Sequence, residues 1–189
     1  MPYITPQTRE LRRAKILDAA REQFTRNGFH ATSMDDIVAA AGVSAGGVYR
    51  HFPSKSALIA AIASQVITDL GAQLAGRLEA LAATGEPDLM AVIAEVLQVL
   101  DSAADGPGRL ALQVWGEAQR DPEIAELARG GVRGIRRVVE AHVPSTADSA
   151  GLVKVVFALM AGYLVQRCVV ADVDPASFSA SLSAFDAQP

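Results

Sequence analysis

The sequence predicts an all-α protein: an N-terminal three-helix domain holding a helix-turn-helix, then a larger helical domain, about nine helices in all. Three observations predict it. Apolar residues recur at three- and four-residue intervals along most long segments, and no segment alternates apolar and polar residues for a useful length of strand. Half of the 189 residues are hydrophobic, dominated by Ala, Leu and Val, and only 5% are aromatic. Glycine and proline cluster between the periodic runs, which separates helices by sharp breaks.

In chain order, a first helix is expected from Thr8 on Ile16, Leu17, Ala20 and Phe24, with Asn27-Gly28 as its glycine stop. Ser33 followed by Asp36 has the form of a shortened capping box and opens a second helix on Ile37, Val38 and Ala41, which Gly42 ends. Ser44 is a natural N-cap for a third, carrying Val48, Tyr49 and Phe52 and stopped by Pro53. Two helices joined by a three- or four-residue turn containing Gly have the spacing of a helix-turn-helix, and Val43 and Val48 would pin that turn to the first helix. Ser54 caps a fourth helix whose stripe of Leu58, Ile62, Val66, Leu70, Leu74 and Leu78 runs to about Ala83. At 1.5 Å per residue it is roughly 40 Å long, enough to leave one domain and enter another. After Thr84–Pro87 come a helix over Leu89–Ser102, the breaker Asp105–Gly108, and a helix over Leu110–Gln119 with the only tryptophan. A helix from Asp121-Pro122 to about Val143, a long one over Ala147–Val170 and a short one from Asp174-Pro175 to Phe185 complete the chain. The domain boundary is placed between residues 54 and 55, giving domains 1–54 and 55–189.

The net charge of −4 is unevenly divided: residues 1–56 carry eight Lys/Arg and five Asp/Glu, the remainder nine and sixteen. A basic head on an acidic body suits a head that alone meets a polyanion, although a solvated face has the same count. Gly46 and Gly47 would each cost about 1 kcal/mol against Ala if the third helix served packing alone. At the start of a recognition helix, close approach to a major groove favours small residues. The lone Cys168 cannot form an intramolecular disulfide, the N-terminus lacks a signal-peptide core, and the uninterrupted apolar run Val155–Val165 is too short for a bilayer. A cytoplasmic protein with no membrane partner is expected. His142, Cys168 and Glu117 form no catalytic motif, and there is no phosphate loop, nucleophile elbow or metal-ligand spacing, so neither an enzyme nor a cofactor is expected. A helical carrier of an apolar small molecule is the competing class; such a carrier has no use for a basic head with two short capped helices.

The stretch Ala14–Ile62 resembles the TetR family of bacterial transcription regulators. The likeness rests on Phe24 with Asn27-Gly28-Phe29, Ala31-Thr32-Ser33, Ile37 with Ala41-Gly42-Val43-Ser44, Val48 through Phe52, and Pro53-Ser54-Lys55. Trp115–Glu123 looks like members of the same family. Two positions depart from the pattern: Val38 where such helices often have Ala, and Gly47 where many have Thr, Ser or Ala. The resemblance implies that Tyr49 and Lys55 contact DNA phosphates, with Thr32 and Ser33 offering amides and a hydroxyl to another. It makes Ser44, Ala45, Gly46, Gly47, Arg50 and His51 candidates at the groove, Arg being the best donor to guanine. Tyr49 could instead pack on the first helix, Lys55 be solvated, and Arg50 pair with Asp35 or Asp36. Arg9, Arg12 and Arg13 form either a phosphate-tracking arm or a solvated face.

For the larger domain, the resemblance implies a pocket for a small, mostly apolar effector. Met90, Leu97, Trp115, Phe157, Met160 and Tyr163 would line it, and Arg109, Gln113, Glu117 or Gln166 would supply polar anchors; each is otherwise core. The helix through Val155–Leu164 is apolar nearly all round and asks for cover from a second subunit. Ala158, Ala161 and Gly162 would allow close approach, and Phe178, Leu182 and Phe185 would supply the rest of a homodimer interface. The expected function is a ligand-released repressor that binds a pseudo-palindromic double-stranded operator as a dimer.

Overall fold

The computed structural model describes residues 5–143 and 149–186, the side chains of Asp105, Ser183, Phe185 and Asp186 excepted. Among these residues there are nine α-helices and no strand: α1 Pro6–Ala31, α2 Met34–Ala41, α3 Ala45–His51, α4 Lys55–Ala82, α5 Leu89–Ala103, α6 Arg109–Glu117, α7 Pro122–Glu140, α8 Ser149–Val165 and α9 Pro175–Asp186. Two wide π-helical turns, Ala104–Gly108 and Gln166–Val170, lead into α6 and out of α8. The helices fall into two compact units. The first holds the described residues up to Gln65 together with Gln113–Ala128; the second holds Val66–Leu112 and the described residues from Arg129 onward. The division between these units runs through α4, α6 and α7, and the end of α6 belongs with the N-terminal helices.

In the first unit, α1 buries Ile16, Leu17, Ala20 and Phe24, as its spacing requires. Phe24 meets Phe29 edge-on, with ring centroids 4.9 Å apart. Gly28 ends the first helical run, as expected, and a further turn follows it. At φ +82° and ψ 165° it kinks the chain, which then coils on to Ala31. An L side chain rarely adopts that φ, so glycine is the residue that permits the kink. Ile37 and Ala41 of α2, Val48 of α3, Phe52, and Leu58, Ile59, Ile62 and Ala63 of α4 are buried apolar residues of the other N-terminal helices.

The second unit packs Leu74, Leu78, Val92, Val96, Leu97, Val139, Val153, Val156, Met160 and Tyr163 into one cluster. Phe178 of α9 lies edge-on to Tyr163, centroids 5.4 Å apart. The breaker at Asp105–Gly108 turns out to be one of the π-helical turns. Pro107 has no amide hydrogen to give, and the widened turn carries the chain past it without a loop. The expected start of α8 at Ala147 lies outside the described residues, as does the side chain of Phe185. By length and composition, Lys55–Ala82 and Ser149–Val170 could each cross a membrane. That criterion counts length and composition alone and is met equally by the core helices of proteins that cross no membrane.

Candidate nucleic-acid interface

The local caps form as their residue types dictate. Asp36 N donates to Ser33 Oγ at 3.1 Å, and Ser33 N donates to Asp36 Oδ2 at 2.8 Å, the two arms of the capping box. Ser33 Oγ also donates to Asp36 Oδ2 at 2.6 Å. These bonds, the hydroxyl's first, hold the Asp36 carboxyl below its ordinary value of 3.8. Ser44 caps α3 by accepting from Gly47 N at 3.3 Å.

The outer face of α3 is open. Ser44, Ala45, Gly46, Tyr49 and Arg50 are exposed, Tyr49 at 45% even though it is aromatic. No ion pair joins Arg50 to Asp35 or Asp36 among the described residues, and Tyr49 keeps 45% of its surface exposed. His51 is half-buried beside Phe52, and the guanidinium of Arg13 lies 5.5 Å from the Phe52 ring centre. The two glycines differ. A Cβ at Gly46 would meet nothing within 4 Å, so a partner can come close there. A Cβ at Gly47 would stand 2.7 Å from Val43 Cγ1 and 3.2 Å from Ser44 Oγ. A side chain at Gly47 would therefore have to displace that of Val43.

Two expected phosphate ligands are engaged inside the protein. Thr32 is fully buried, and its Oγ1 donates to the Gly28 carbonyl at 2.9 Å and the Gln23 carbonyl at 3.3 Å, so it offers no hydroxyl outward. Lys55 Nζ donates to the carbonyls of Phe29 at 2.8 Å and Thr32 at 3.2 Å. An ammonium on the last carbonyls of a helix satisfies acceptors that the ladder leaves over and suits the dipole. Lys55 is therefore neither a simple solvated lysine nor a wholly free phosphate ligand.

A second surprise lies where α6 meets the kink. Gln113 Oε1 accepts from Phe29 N at 2.9 Å, and Gln113 Nε2 donates to the Phe24 carbonyl at 3.2 Å. The amide clasps the helix on both sides of Gly28. Glu117 Oε1 is 2.9 Å from His30 Nε2, and Arg120 Nη1 lies 3.1 Å from the same nitrogen. Gln113, Gly116, Glu117 and Arg120 face Asn27–Ala31 across a surface pocket of about 350 Å³. Sequence reasoning gave Gln113 and Glu117 to an effector; the structure gives their polar groups to α1.

Of the other effector candidates, Leu97, Met160 and Tyr163 are core residues of the second unit, with Met90 and Phe157 packed against them. Trp115 is half-buried and belongs to the first unit. The structure thus divides the expected pocket set between the units. Sequence reasoning also missed a polar cluster. Asp101 Oδ1 accepts from the Tyr163 hydroxyl at 3.0 Å and from Arg167 Nε at 2.8 Å. Burial, then the bond to Asp101, pushes the Tyr163 phenol well above its ordinary value of 10. The signal that could have found this cluster was Asp101 itself, a carboxylate beside the buried Val99 and Leu100 near the end of α5. Arg136 lies over the Phe157 ring at 4.9 Å.

A three-helix head with a capped helix-turn-helix and an exposed second helix, carried by a larger helical unit, defines a class of one-chain regulators. Comparison with known proteins places this one within it. The family model for bacterial regulatory proteins of the tetR family matches residues 16–62, and that for the tetracyclin repressor-like C-terminal domain matches residues 88–185. The chain belongs to the TetR family of bacterial regulatory proteins. It is 36% identical over 117 residues to the HTH-type transcriptional regulator UidR of Escherichia coli K12, an alignment covering 62% of this chain and 57% of that protein. The chain thus matches just over half the length of that relative. Among solved structures, a TetR-family regulator from Mesorhizobium loti superposes with a TM-score of 0.77 at 18% identity, over 94% of this chain and 96% of that one. The regulator FadR from Bacillus subtilis, in complex with stearoyl-CoA, does so with a TM-score of 0.69 at 17% identity, over 89% and 94%. At those identities the likeness establishes the fold. The family and these relatives are transcriptional regulators, not enzymes.

Proposed function

We propose that this chain is a cytoplasmic repressor that binds a pseudo-palindromic operator in double-stranded DNA as a homodimer and leaves it when a small, mostly apolar effector binds. The observation that carries the reading is the outer face of α3, where Tyr49 and Arg50 stand exposed beside an unobstructed Gly46. An aromatic and an arginine held open on a short capped helix serve a partner better than they serve the fold. Tyr49 fits a phosphate and Arg50 a guanine edge, with Ser44, Ala45, Gly46 and His51 near them on the same short helix and its cap.

Dimerisation is supported by the valines that α8 and its π-helical turn leave in solvent: Val155 is 58% exposed, Val165 43% and Val169 70%. A second copy turning the same face inward covers them, and a two-fold dimer spaces its recognition helices by about one turn of DNA, roughly 34–36 Å. For the effector we assign the second unit, where Met90 and Phe157 are partly exposed beside Leu97, Met160 and Tyr163. That the B. subtilis relative binds stearoyl-CoA is consistent with an apolar effector in a unit of this fold.

Genomic duplexes retained by the protein, titrated across salt, test the reading. Tyr49→Phe should weaken binding to every duplex alike, because phosphate contacts carry no sequence information. Arg50→Ala should relax preference at one base pair. Absence of salt-dependent duplex binding by the wild-type protein would overturn the proposal.

A further inference from the structure

At the joint between α1 and α6, one nitrogen has two partners that it cannot serve at once. His30 Nε2 stands 2.9 Å from a Glu117 carboxylate oxygen and 3.1 Å from Arg120 Nη1. Facing Glu117, the nitrogen must carry a hydrogen and donate. Facing Arg120, which only donates, it must present a lone pair and accept. Imidazole is the side chain whose ordinary titration falls between pH 5 and 8, and its two neutral tautomers are chosen by hydrogen bonding.

We propose that His30 is a proton-operated coupler, whose protonation decides whether the end of α1 is held by Glu117 or by Arg120. As imidazolium, His30 donates to Glu117 and repels the guanidinium. As the neutral form with its hydrogen on Nδ1, it accepts from Arg120 and releases Glu117.

The position makes this exchange matter. His30 follows Phe29, whose amide is held by Gln113 of α6 and whose carbonyl is held by Lys55 of α4. The coupler therefore sits on the turn that both helices grip, two residues before the buried Thr32 and three before the cap of α2. The charged groups around it are Glu117 and Arg120 from α6 and the turn after it, and Lys55 from α4. Arg26 of α1 is paired with Glu22 at 3.7 Å, and Asp36 of α2 is closed on Ser33. The His30 side chain is 74% exposed, so protons reach it freely, while the Glu117 side chain is only 18% exposed and holds its place. A ligand entering the adjoining pocket would meet the same three groups, so pocket and proton act on one joint.

The test uses the full-length chain labelled with ¹⁵N-histidine, followed by long-range imidazole correlation spectra from pH 5.5 to 8. Expected for His30 is a passage from imidazolium to the Nδ1–H tautomer, with Nε2 an acceptor at high pH. In Arg120→Ala the neutral ring should instead take the Nε2–H tautomer and remain on Glu117. A wild-type ring that is Nε2–H at pH 8 overturns the proposal. The second arm measures affinity for a 40-base-pair duplex recovered from the protein's own bound genomic DNA. Between pH 6 and pH 8 the wild type should change about two- to five-fold more than His30→Gln, the share of one exposed hydrogen bond. Glutamine donates and accepts at once and cannot titrate, and His51 is present in both proteins, so its own contribution cancels. Equal pH dependence in the two proteins overturns the coupling to DNA. This second arm rests on the DNA-binding reading and the spectra do not, so the two can fail separately.

Discussion

The clasp at Gln113 makes a quantitative prediction. Gly28, at φ +82° and ψ 165°, turns the Phe29 amide out of the α1 ladder, and Gln113 Oε1 is the acceptor that meets it at 2.9 Å. Phe29 is only 3% exposed, and the bond from its amide is part-buried. Gln113→Leu keeps the side chain's bulk and removes both bonds. Leaving one buried donor unsatisfied costs about 1–3 kcal/mol. The bond to the Phe24 carbonyl, at 3.2 Å, adds little if that oxygen keeps another donor. The expected loss is about 2 kcal/mol, and for a chain of this size about 4–8 °C in Tm. The assay is urea and thermal unfolding at one fixed protomer concentration, since dimerisation would make stability concentration-dependent. Gln113→Glu, which keeps an acceptor for Phe29 but sets a carboxylate against the Phe24 carbonyl, should also destabilise. If Gln113→Leu lies within about 0.5 kcal/mol of wild type, the range of inert surface changes, the clasp is not holding the kink.

The glycines of α3 should separate: Gly47→Ala should lower stability by about 1–3 kcal/mol through its clash with Val43, and Val43→Ala should recover part of the loss. Gly46→Ala, with nothing within 4 Å of the new methyl, should leave thermal unfolding unchanged or slightly improved while weakening duplex binding. Lys55→Met should cost about 1–3 kcal/mol in urea unfolding, because it strips a charged donor from two carbonyls. It should leave the slope of log affinity against log salt near wild type; a fall of about one unit would mean that Lys55 also neutralises a phosphate. Val155→Asp with Val169→Asp should yield a folded monomer by light scattering with much weaker duplex binding. These valines are a cleaner probe than Phe178 and Leu182, which pack against the core of the second unit.

What the sequence made legible was local, and what it hid was distant. Ser33 with Asp36 and Ser44 with Gly47 are settled within three residues, so residue type and spacing suffice to find them. The stripes of α1 and α4 are likewise readable, because burial on one face repeats with the helix period. Lys55 and Gln113 are different. Their partners lie 23 to 89 residues away, and the family resemblance implies a phosphate for the ammonium and a ligand for the amide. The intrachain partners of both have one physical origin. A helix that simply ended at Gly28 would leave its last carbonyls to water or a local cap, with no demand on a distant helix. A kink followed by one more turn leaves the Phe29 amide and the Phe29 and Thr32 carbonyls in want of partners, and buried backbone groups are nearly always paired. Apolar Phe29 and the threonine beyond it were the available signal that the chain stays inside after Gly28. Once the kink is recognised, a glutamine and a lysine from other helices become the expected solution, and their helices acquire a role. Both α4 and α6 continue into the second unit. Within the first unit, each of them makes a hydrogen bond to the turn that leads into the helix-turn-helix.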